Sequence, residues 1–347
     1  MEHGAIKERL AFLSQEPDRL RGLRGQGLYD TLNGFGLNHS HYFRALGTNV
    51  NEYCAQEFGV DLNRITVERF FQSDPNAKWL FPDMVREAVL TGIQRKPKYP
   101  ELIMRDEHIN STAFELPFVT EDADEEELRK VAEGGAIPES QITYGSRVVR
   151  LDKLGRGVLA SYEVIRRMSV DMLRLHLQRI GERLGRNLDD RLVSVLANGD
   201  SSSGNTAPVV MNTATSGTWT YGDLVAGFMK LATEHYFTPT HLLANAATAQ
   251  DILELGEFKE AALFDFAKTG NLPTPLGVKL VPLASQPAGK VTLLDAGYAA
   301  QKLTEQELLV ESDKLIHQQW DRTYLTVVTD FAVVYDKARI VINSTWS

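Results

Sequence analysis

The sequence predicts an α+β protein in which one very long helix precedes a region rich in strands. Between residues 164 and 200, apolar residues recur at steps of three or four for about seven turns, the spacing of a single apolar stripe on a helix. The stripe consists of Val170, Leu173, Leu177, Ile180, Leu184, Leu188, Leu192 and Val195. Near the end of the chain the period changes to two, because Leu325 and Val327 alternate with Tyr324, Thr326 and Val328, which is typical of a strand.

Both ends of the long helix carry residues that delimit helices. Ser169 is a suitable N-cap, and Asn198 with Gly199 supplies a stop. Gly181 and Gly185 lower the helix propensity, but small residues four positions apart let another backbone approach closely. The opposite face is predicted to stay in solvent or to meet a polar partner, and it carries Arg174, Gln178, Glu182, Arg186 and Asp189.

Composition and charge exclude several classes of protein. The chain has 347 residues, enough for two or three domains with cores of their own, and a net charge of −9. This charge argues against a general nucleic-acid binder, which gathers phosphates with a basic field. The single cysteine, Cys54, excludes a disulfide framework and a multi-cysteine metal site. No apolar run is long enough to span a bilayer and the N-terminus is too polar for a signal peptide, so we expect a soluble protein made inside the cell.

Residues 1–78 are predicted to form an arm rather than a domain. Short helices are expected near residues 6–13 and 41–58, but the glycine-rich stretch between them shows no helical or strand period. The segment is too short of consistent apolar faces for a core of its own and too apolar for a free tail. We therefore expect it to lie across another surface, so that the rest of the chain folds without it.

Residues 142–162 are predicted to form a β-hairpin that leads into the long helix. Residues 142–151 and 157–162 have strand patterns, and residues 153–156 are expected to form the turn. The predicted hairpin carries four positive charges, Arg147, Arg150, Lys153 and Arg156. A hairpin of two strands is marginal in isolation, so it needs a partner surface.

An acidic run upstream of the hairpin is the predicted partner of these charges. Six of the seven residues from Glu121 to Glu127 are acidic. Calcium loops need alternating ligands around a central glycine, which is absent here, so a solvated acidic face is favoured over a metal site. We predict that Glu125, Glu126 and Glu127 contact the basic hairpin of a neighbouring subunit; the alternative is that the basic residues only improve solubility.

The remaining segments contain structural signals but no catalytic motif. Thr220 and Asp223 have capping-box spacing, and Asn245 is a suitable N-cap for a second helix. Residues 277–283 and 290–296 have strand patterns. No Ser–His–Asp order, nucleophile elbow or Walker loop occurs. The sequence therefore predicts no catalytic residue, no cofactor and no metal site.

The order of these segments resembles the major capsid proteins of tailed bacteriophages, which have the Hong Kong 97-type fold. The resemblance runs from about residue 81 to the C-terminus. It rests on AEGGAIPES before the hairpin, RLDKLGRGVLASYEVIRRMSVDM entering the long helix, LDDRLVSVLANGD closing it, HLLANAATAQDILEL and GVKLVPL after it, and DFAVVYDKARIVIN at the strand-rich end. Each motif is loose by itself, and the signal lies in their order and spacing.

The resemblance implies how the chain is divided. It implies an N-terminal arm at 1–78, peripheral-domain segments at 79–114 and 306–347, an extended E-loop at 115–162, the spine helix of the peripheral domain at 163–204, and an axial domain at 205–305. Some members of the family form covalent Lys–Asn cross-links between subunits. Lys153 lies at the predicted hairpin tip, but no matching asparagine and acid can be assigned, so no cross-link is predicted.

The resemblance also implies the function. It implies a major head protein that is not an enzyme, self-assembles through hexamers and pentamers into an icosahedral shell, and encloses the double-stranded DNA of a tailed phage. The subunit would be made in the cytoplasm of the host bacterium and end in the virion, with scaffold, portal and decoration proteins as further partners. The alternative is an encapsulin, whose shell encloses a cargo enzyme. A soluble α/β enzyme that uses the acidic run as its site is a weaker alternative.

Overall fold

The computed structural model describes most of the chain from residue 25 onwards. The described residues are 25–34, 42–43, 47–48, 50–62, 64–67, 69–70, 80–95, 97–116, 131, 147–161, 163, 167–202, 206–258, 276–315 and 320–346. Their α-helices are α1 (Gly25–Gly34), α2 (Val50–Phe58), α3 (Phe81–Gln94), α4 (Tyr99–Leu102), α5 (Val170–Asn198), α6 (Tyr221–Met229) and α7 (Ala246–Leu253). A π-helical turn, Lys230–Glu234, continues α6, and a 3-10 turn spans Asp336–Ala338.

The strands form three sheets. They are β1 (Asp106–His108), β2 (Ala113–Leu116), β3 (Arg147–Arg150), β4 (Asp152–Ser161), β5 (Val209–Asn212), β6 (His241–Ala244), β7 (Lys279–Pro282), β8 (Lys290–Leu294), β9 (Ala300–Leu315), β10 (Trp320–Val333) and β11 (Arg339–Asn343). A four-stranded sheet has the order β1-β9-β10-β4, and a five-stranded sheet has the order β5-β11-β8-β6-β7. Strands β2 and β3 form a separate antiparallel pair.

The chain divides into two compact units. The first consists of Met1–Pro97, Leu154–Arg186 and Gln306–Val327, and the second of Lys98–Lys153, Asn187–Glu305 and Val328–Ser347. The long elements α5, β4, β9 and β10 contribute residues to both units. This mixed arrangement of helices and sheets agrees with the α+β class that the sequence predicts.

The core of the second unit lies around the five-stranded sheet. Strand β11 pairs in parallel with β5 and antiparallel with β8, and β6 pairs in parallel with β7. Helices α6 and α7 pack their apolar residues against this sheet. Both N-termini are capped as predicted, because Thr220 and Asp223 form a reciprocal capping box and the Asn245 side chain accepts from the Thr248 amide. The caps satisfy amides that helix geometry leaves without partners.

The predicted long helix is confirmed as α5, which has 29 residues. Its first turn is capped by the Ser169 hydroxyl, which accepts from the Met172 amide at 3.2 Å. At the other end, Gly199 has a φ of +98°, a left-handed conformation that suits glycine after a helix. Six residues of the predicted stripe are buried, namely Val170, Leu177, Ile180, Leu188, Leu192 and Val195. The apolar period in the sequence therefore identifies the face of α5 that packs inward.

The close approach predicted at Gly181 and Gly185 occurs in the first unit. A Cβ atom added at Gly181 would lie 2.2 Å from the Val89 carbonyl oxygen, and one added at Gly92 of helix α3 would lie 2.1 Å from the Gln178 carbonyl oxygen. A Cβ at Gly185 would lie 3.1 Å from the Ile93 carbonyl oxygen. Helices α3 and α5 therefore cross with their backbones in contact, which only residues without a Cβ permit.

The N-terminal segment contains a helix that the sequence pattern does not predict, and its apolar side chains pack on other elements. Helix α1 occupies part of the glycine-rich stretch, and its Leu28 and Leu32 are each 1% exposed. They belong to a buried cluster that the segment shares with Leu80, Met84 and Val170. The described apolar residues of the segment therefore pack against α3 and α5, which agrees with the expectation that the segment lies across another surface. No local pattern in the sequence identifies these partners.

This cluster leads to a prediction for the N-terminal segment. Replacing Leu32 with alanine is expected to lower the free energy of unfolding by about 2–4 kcal/mol, since it removes a fully buried side chain and leaves a cavity. Asp30 is exposed on the same helix, so Asp30→Ala is the matched control and should change stability by less than about 0.5 kcal/mol. Urea unfolding of the soluble subunit measures both, and equal stabilities would show that the cluster does not stabilise the fold.

Candidate assembly surfaces

The two predicted strands exist in part, but the predicted hairpin is wrong, because its strands belong to different sheets and do not pair with each other. Strand β3 pairs antiparallel with β2, with Arg150 opposite Ala113 and Arg147 opposite Leu116. Val149 of β3 is fully buried and packs with Ile109, Leu151 and Leu303.

The turn predicted at residues 153–156 is wrong. These residues lie inside β4, a continuous strand that borders β10 in the four-stranded sheet. Two glycines of β4 make close contacts with β10. A Cβ at Gly155 would lie 3.2 Å from Cγ2 of Thr326, and a Cβ at Gly157 would lie 3.0 Å from Cε1 of Tyr324. Glycine leaves room at these positions for the side chains of β10.

The predicted contact residues lie on different elements. Arg150 is exposed on β3, whereas Lys153 and Arg156 are exposed on β4. The side chain of Arg147 lies outside the described residues, as do Glu125, Glu126 and Glu127. The described part of the chain therefore does not bring the predicted basic and acidic residues together, and their contact stays a prediction.

A buried ion-pair network of the second unit holds α5 to the strands β4 and β10. Arg191 of α5 donates to both carboxylate oxygens of Asp330, at 2.7 and 2.9 Å, and it also contacts Asp152. The Asp330 side chain is 4% exposed and that of Arg191 is 27% exposed. These carboxylates raise the pKa of Arg191, chiefly because Asp330 accepts its hydrogen bonds. The network joins β4 and β10 to α5, with a geometry that sequence spacing alone does not reveal.

Asp189 is the one residue of the predicted polar face that is buried. Its Oδ1 atom accepts from the amides of Lys98 and Tyr99, at 2.9 and 2.7 Å, and so caps the N-terminus of α4. Burial raises the pKa of Asp189, although both amide hydrogen bonds act in the opposite direction. The acid on α5 therefore provides the polar contact that the sequence analysis expects.

Two substitutions separate the charge of Asp189 from its hydrogen bonds. Asp189→Leu is expected to destabilise the protein by about 1–3 kcal/mol, because two buried amides lose their acceptor. Asp189→Asn keeps an oxygen acceptor and should retain most of the stability. A raised folded pKa means that the stability gained from the protonated group is present below its usual pKa of 3.8 and is lost as pH rises through the folded pKa. The free energy of unfolding of the wild type, relative to that of Asp189→Asn, should therefore be highest at acidic pH, as measured by urea unfolding. A difference that stays constant between pH 3 and 7 contradicts this.

The first unit contains a cavity surrounded by arginine side chains, which we name the arginine pocket. It has a volume of about 260 Å³ and lies between the end of α3 and the middle of α5. Its polar lining residues are Arg95, Arg179, Arg186 and Glu182. Arg95 and Arg179 hydrogen-bond to the carboxylate of Glu182 at 2.9 and 2.8 Å, which lowers the pKa of Glu182. No spacing in the sequence indicates that these four residues lie together.

Two sequence features with possible chemistry, a metal-binding cluster and the single cysteine, can be examined in the described residues. These residues contain no group of three or more histidine, cysteine or acidic side chains that could hold a metal ion. Burial raises the pKa of the Cys54 thiol to about 12, so it stays protonated at neutral pH and is not a nucleophile. None of the described helices is both long and apolar enough to cross a membrane.

Solved structures identify the fold. The capsid of a native GTA particle matches with a TM-score of 0.57 at 15% identity, over 73% of this chain and 90% of that chain. A virus-like particle from Pyrococcus furiosus matches with a TM-score of 0.51 at 12% identity, over 75% and 98% of the two chains. A phage-related protein from Bordetella bronchiseptica matches with a TM-score of 0.50 at 10% identity, over 78% of this chain and 97% of that chain. The architecture is the Hong Kong 97-type capsid fold, as the sequence predicts.

A sequence comparison places the chain within this fold. The model of a family described as phage capsid protein matches residues 144–342, which is more than half of the chain. The chain therefore belongs to the phage capsid protein family. No curated protein sequence matches it. Membership of a capsid family implies a structural rather than a catalytic role.

Proposed function

We propose that this chain is the major capsid protein of a tailed bacteriophage, and that copies of it assemble through hexamers and pentamers into an icosahedral shell around double-stranded DNA. The observation that carries the proposal is the family match over residues 144–342. Closed shells repeat a few contacts between identical subunits, so the functional residues of such a protein are those that form these contacts. The protein then resides in the virion, after synthesis in the bacterial cytoplasm, and catalyses no reaction.

The proposed division of the chain follows the resemblance to tailed-phage capsid proteins. Helix α5 is the spine of the peripheral domain, and residues 205–305, with β5 to β8, α6 and α7, form the axial domain. The E-loop is proposed within residues 115–162, with β2 and β3 as the strands at its base. Residues 1–78 form the N-terminal arm, and their packing against α3 and α5 supports an arm attached to the spine helix.

The acidic character of the protein supports a container for DNA. At a net charge of −9, the average surface repels phosphates, so packaged DNA would not adhere to the wall at every contact. Scaffold, portal and decoration proteins are further proposed partners, because shells of this kind need nucleation, a DNA entrance and reinforcement. No cofactor or cross-linking reaction is part of the proposal.

The contents of native particles test the proposal. Particles purified from the native source should contain nuclease-protected double-stranded DNA. A single cargo enzyme without DNA would instead identify an encapsulin shell. Turnover of a small molecule by a small oligomer would identify an enzyme. The family match favours the first result over the other two.

The exposed basic residues of β3 and β4 are proposed to contact acidic groups of a neighbouring subunit. Reversing Arg150 and Arg156 to glutamate should leave unfolding of the soluble subunit nearly unchanged, because both side chains are exposed. Each exposed ion pair contributes only about 0–1 kcal/mol, but every subunit repeats it, so assembly should slow and should also weaken with added salt. Light scattering during assembly measures both effects.

Arg64→Glu is the matched control for this double reversal, because Arg64 is an exposed arginine of the first unit that already pairs with Asp61 at 3.6 Å. It should assemble at the wild-type rate. If the Arg150 and Arg156 variant also forms normal particles at low salt, these residues serve solubility and not assembly.

A further inference from the structure

The arginine pocket has an excess of positive charge in a protein that is acidic as a whole. Three arginines surround one acid, since atoms of Arg95, Arg179 and Arg186 lie 2.9, 2.8 and 3.9 Å from the Glu182 carboxylate. The arginine side chains are 58%, 65% and 66% exposed, whereas that of Glu182 is 13% exposed. The pocket therefore presents guanidinium groups to the solvent while the acid that gathers them is largely covered.

These guanidinium groups keep donors for an additional ligand. A guanidinium carries five N–H donors, and one carboxylate cannot accept from all of those around it. Arg186 lies too far from Glu182 for a hydrogen bond, at 3.9 Å, so its fork is free to bind a second carboxylate. Arg183, one turn beyond Arg179 on α5, is exposed and adds positive charge to the same stretch of helix. An anionic ligand with several carboxylates fits this arrangement.

The pocket also has the room for side chains to enter. Gly92 and Gly185 line it because the crossing of α3 and α5 requires glycine there, and Ile93 and Pro97 supply apolar surface. A cavity of about 260 Å³ is smaller than a typical site for a drug-sized ligand, so it suits one or two side chains of a peptide. Apolar walls beneath charged groups lower the local dielectric and strengthen an ion pair formed there.

The acidic run is the occupant that the chain itself offers. Residues 121–127 have six acids in seven residues, the complement of a pocket with excess positive charge. The alternative receptors Arg150, Lys153 and Arg156 do not form a comparable group, because Arg150 is on β3 and the other two are on β4. The three guanidinium groups of the pocket are already held around the Glu182 carboxylate. They therefore lose less side-chain entropy on binding a run of carboxylates than charges dispersed over two strands would lose.

We propose that the arginine pocket receives the acidic run 121–127 of a second copy of this chain. The inference rests on the proposed function in one respect, since a shell brings many copies together. It differs from the sequence prediction in the receptor, which is now Arg95, Arg179 and Arg186 of the first unit. Binding of a free peptide does not require a shell, so the contact can be tested even if assembly fails.

Peptide binding is the first arm of the test. A labelled peptide of residues 120–128 is titrated against a chain in which all six acids of residues 121–127 are replaced by glutamine or asparagine, so that its own run does not compete. Fluorescence anisotropy should show binding that Arg179→Glu with Arg186→Glu weakens by about tenfold or more, which is about 1.4 kcal/mol. Arg64→Glu should leave it unchanged, and the peptide with glutamine and asparagine in place of its acids should not bind.

Three results of the titration overturn the proposal. If Arg150→Glu with Arg156→Glu abolishes binding and the pocket reversal does not, the run docks on β3 and β4 as the sequence predicts. If duplex DNA of matched charge displaces the peptide at lower concentration than the unlabelled peptide does, the pocket is a nucleic-acid surface. If the peptide does not bind at low salt, the pocket has no acidic occupant.

Mixed assembly is the second arm, and it tells neighbouring copies from the same copy. One variant carries Arg179→Glu and Arg186→Glu, and the other carries lysine at all six acidic positions of the run, namely Glu121, Asp122, Asp124, Glu125, Glu126 and Glu127. Each alone should fail to assemble, because its pocket and run then repel. A mixture should form particles, since each run meets a complementary pocket on the other variant. Failure of the mixture, with a wild type that assembles, overturns the contact between copies and leaves the proposed function standing; failure of the wild type itself counts against the proposed function.

Discussion

Replacing Asp330 with alanine is expected to lower the free energy of unfolding by about 3–5 kcal/mol. The reason is that the partly buried guanidinium of Arg191 loses its buried carboxylate partner. The same change removes the acceptor of the Phe331 amide, which donates to Asp330 at 2.7 Å. Urea unfolding of the soluble subunit, at a concentration too low for assembly, measures the effect. Asp251 is an exposed acid on α7, so Asp251→Ala is the matched control and should be nearly neutral.

A double replacement separates the charge pair from the packing around it. Arg191→Met combined with Asp330→Leu removes both charges and keeps apolar volume, so it should recover most of the stability that Asp330→Ala loses. Asp152 loses its partner in this variant, but its side chain is 60% exposed and can be hydrated. If Asp330→Ala is as stable as the wild type, the network does not hold β4 and β10 to the helix.

Replacing Gly181 with alanine is expected to destabilise the protein by about 2–3 kcal/mol. The added Cβ would lie 2.2 Å from the Val89 carbonyl oxygen, so α3 and α5 must separate. In an unhindered helix the same change would instead stabilise by up to about 1 kcal/mol, because alanine has the higher helix propensity. The sign of the measured change therefore reports directly on the backbone contact between these helices.

Gly185 and Gly222 supply a graded comparison for this prediction. A Cβ at Gly185 would meet the Ile93 carbonyl oxygen at 3.1 Å, so Gly185→Ala should be less harmful than Gly181→Ala. A Cβ at Gly222 of α6 would meet only the Thr220 hydroxyl at 3.7 Å, so Gly222→Ala should be neutral or stabilising. Equal effects at all three positions would show that helix propensity, and not the close crossing, determines the result.

Features that depend on local pattern were predictable from the sequence. The stripe on α5 follows from a period of 3.6, and the capping box at Thr220 follows from the spacing of two residues. Gly181 and Gly185 indicated a close approach, but the partner element is not visible in the sequence because α3 lies some ninety residues upstream. The order of such local features was specific enough to identify the fold.

Features that depend on distant partners were not predictable in the same way. Leu28 and Leu32 are one helical turn apart, which is the signal for α1, but two residues among many glycines are too few to define a face. Residues 153–156 were predicted as a turn from local preference, whereas the position of Gly155 in β4 is set by a contact with Thr326 of another strand. The arginine pocket joins Arg95 to residues of α5 that are remote in sequence, so no spacing rule identifies it.

Electron microscopy of the purified protein shows whether this chain builds a shell. We expect closed shells built of hexamers and pentamers, with one copy of this fold in every position. A reconstruction should show α5 and the five-stranded sheet as described here in each subunit. A folded protein that remains a monomer or small oligomer at high concentration, with and without scaffold, would contradict this expectation.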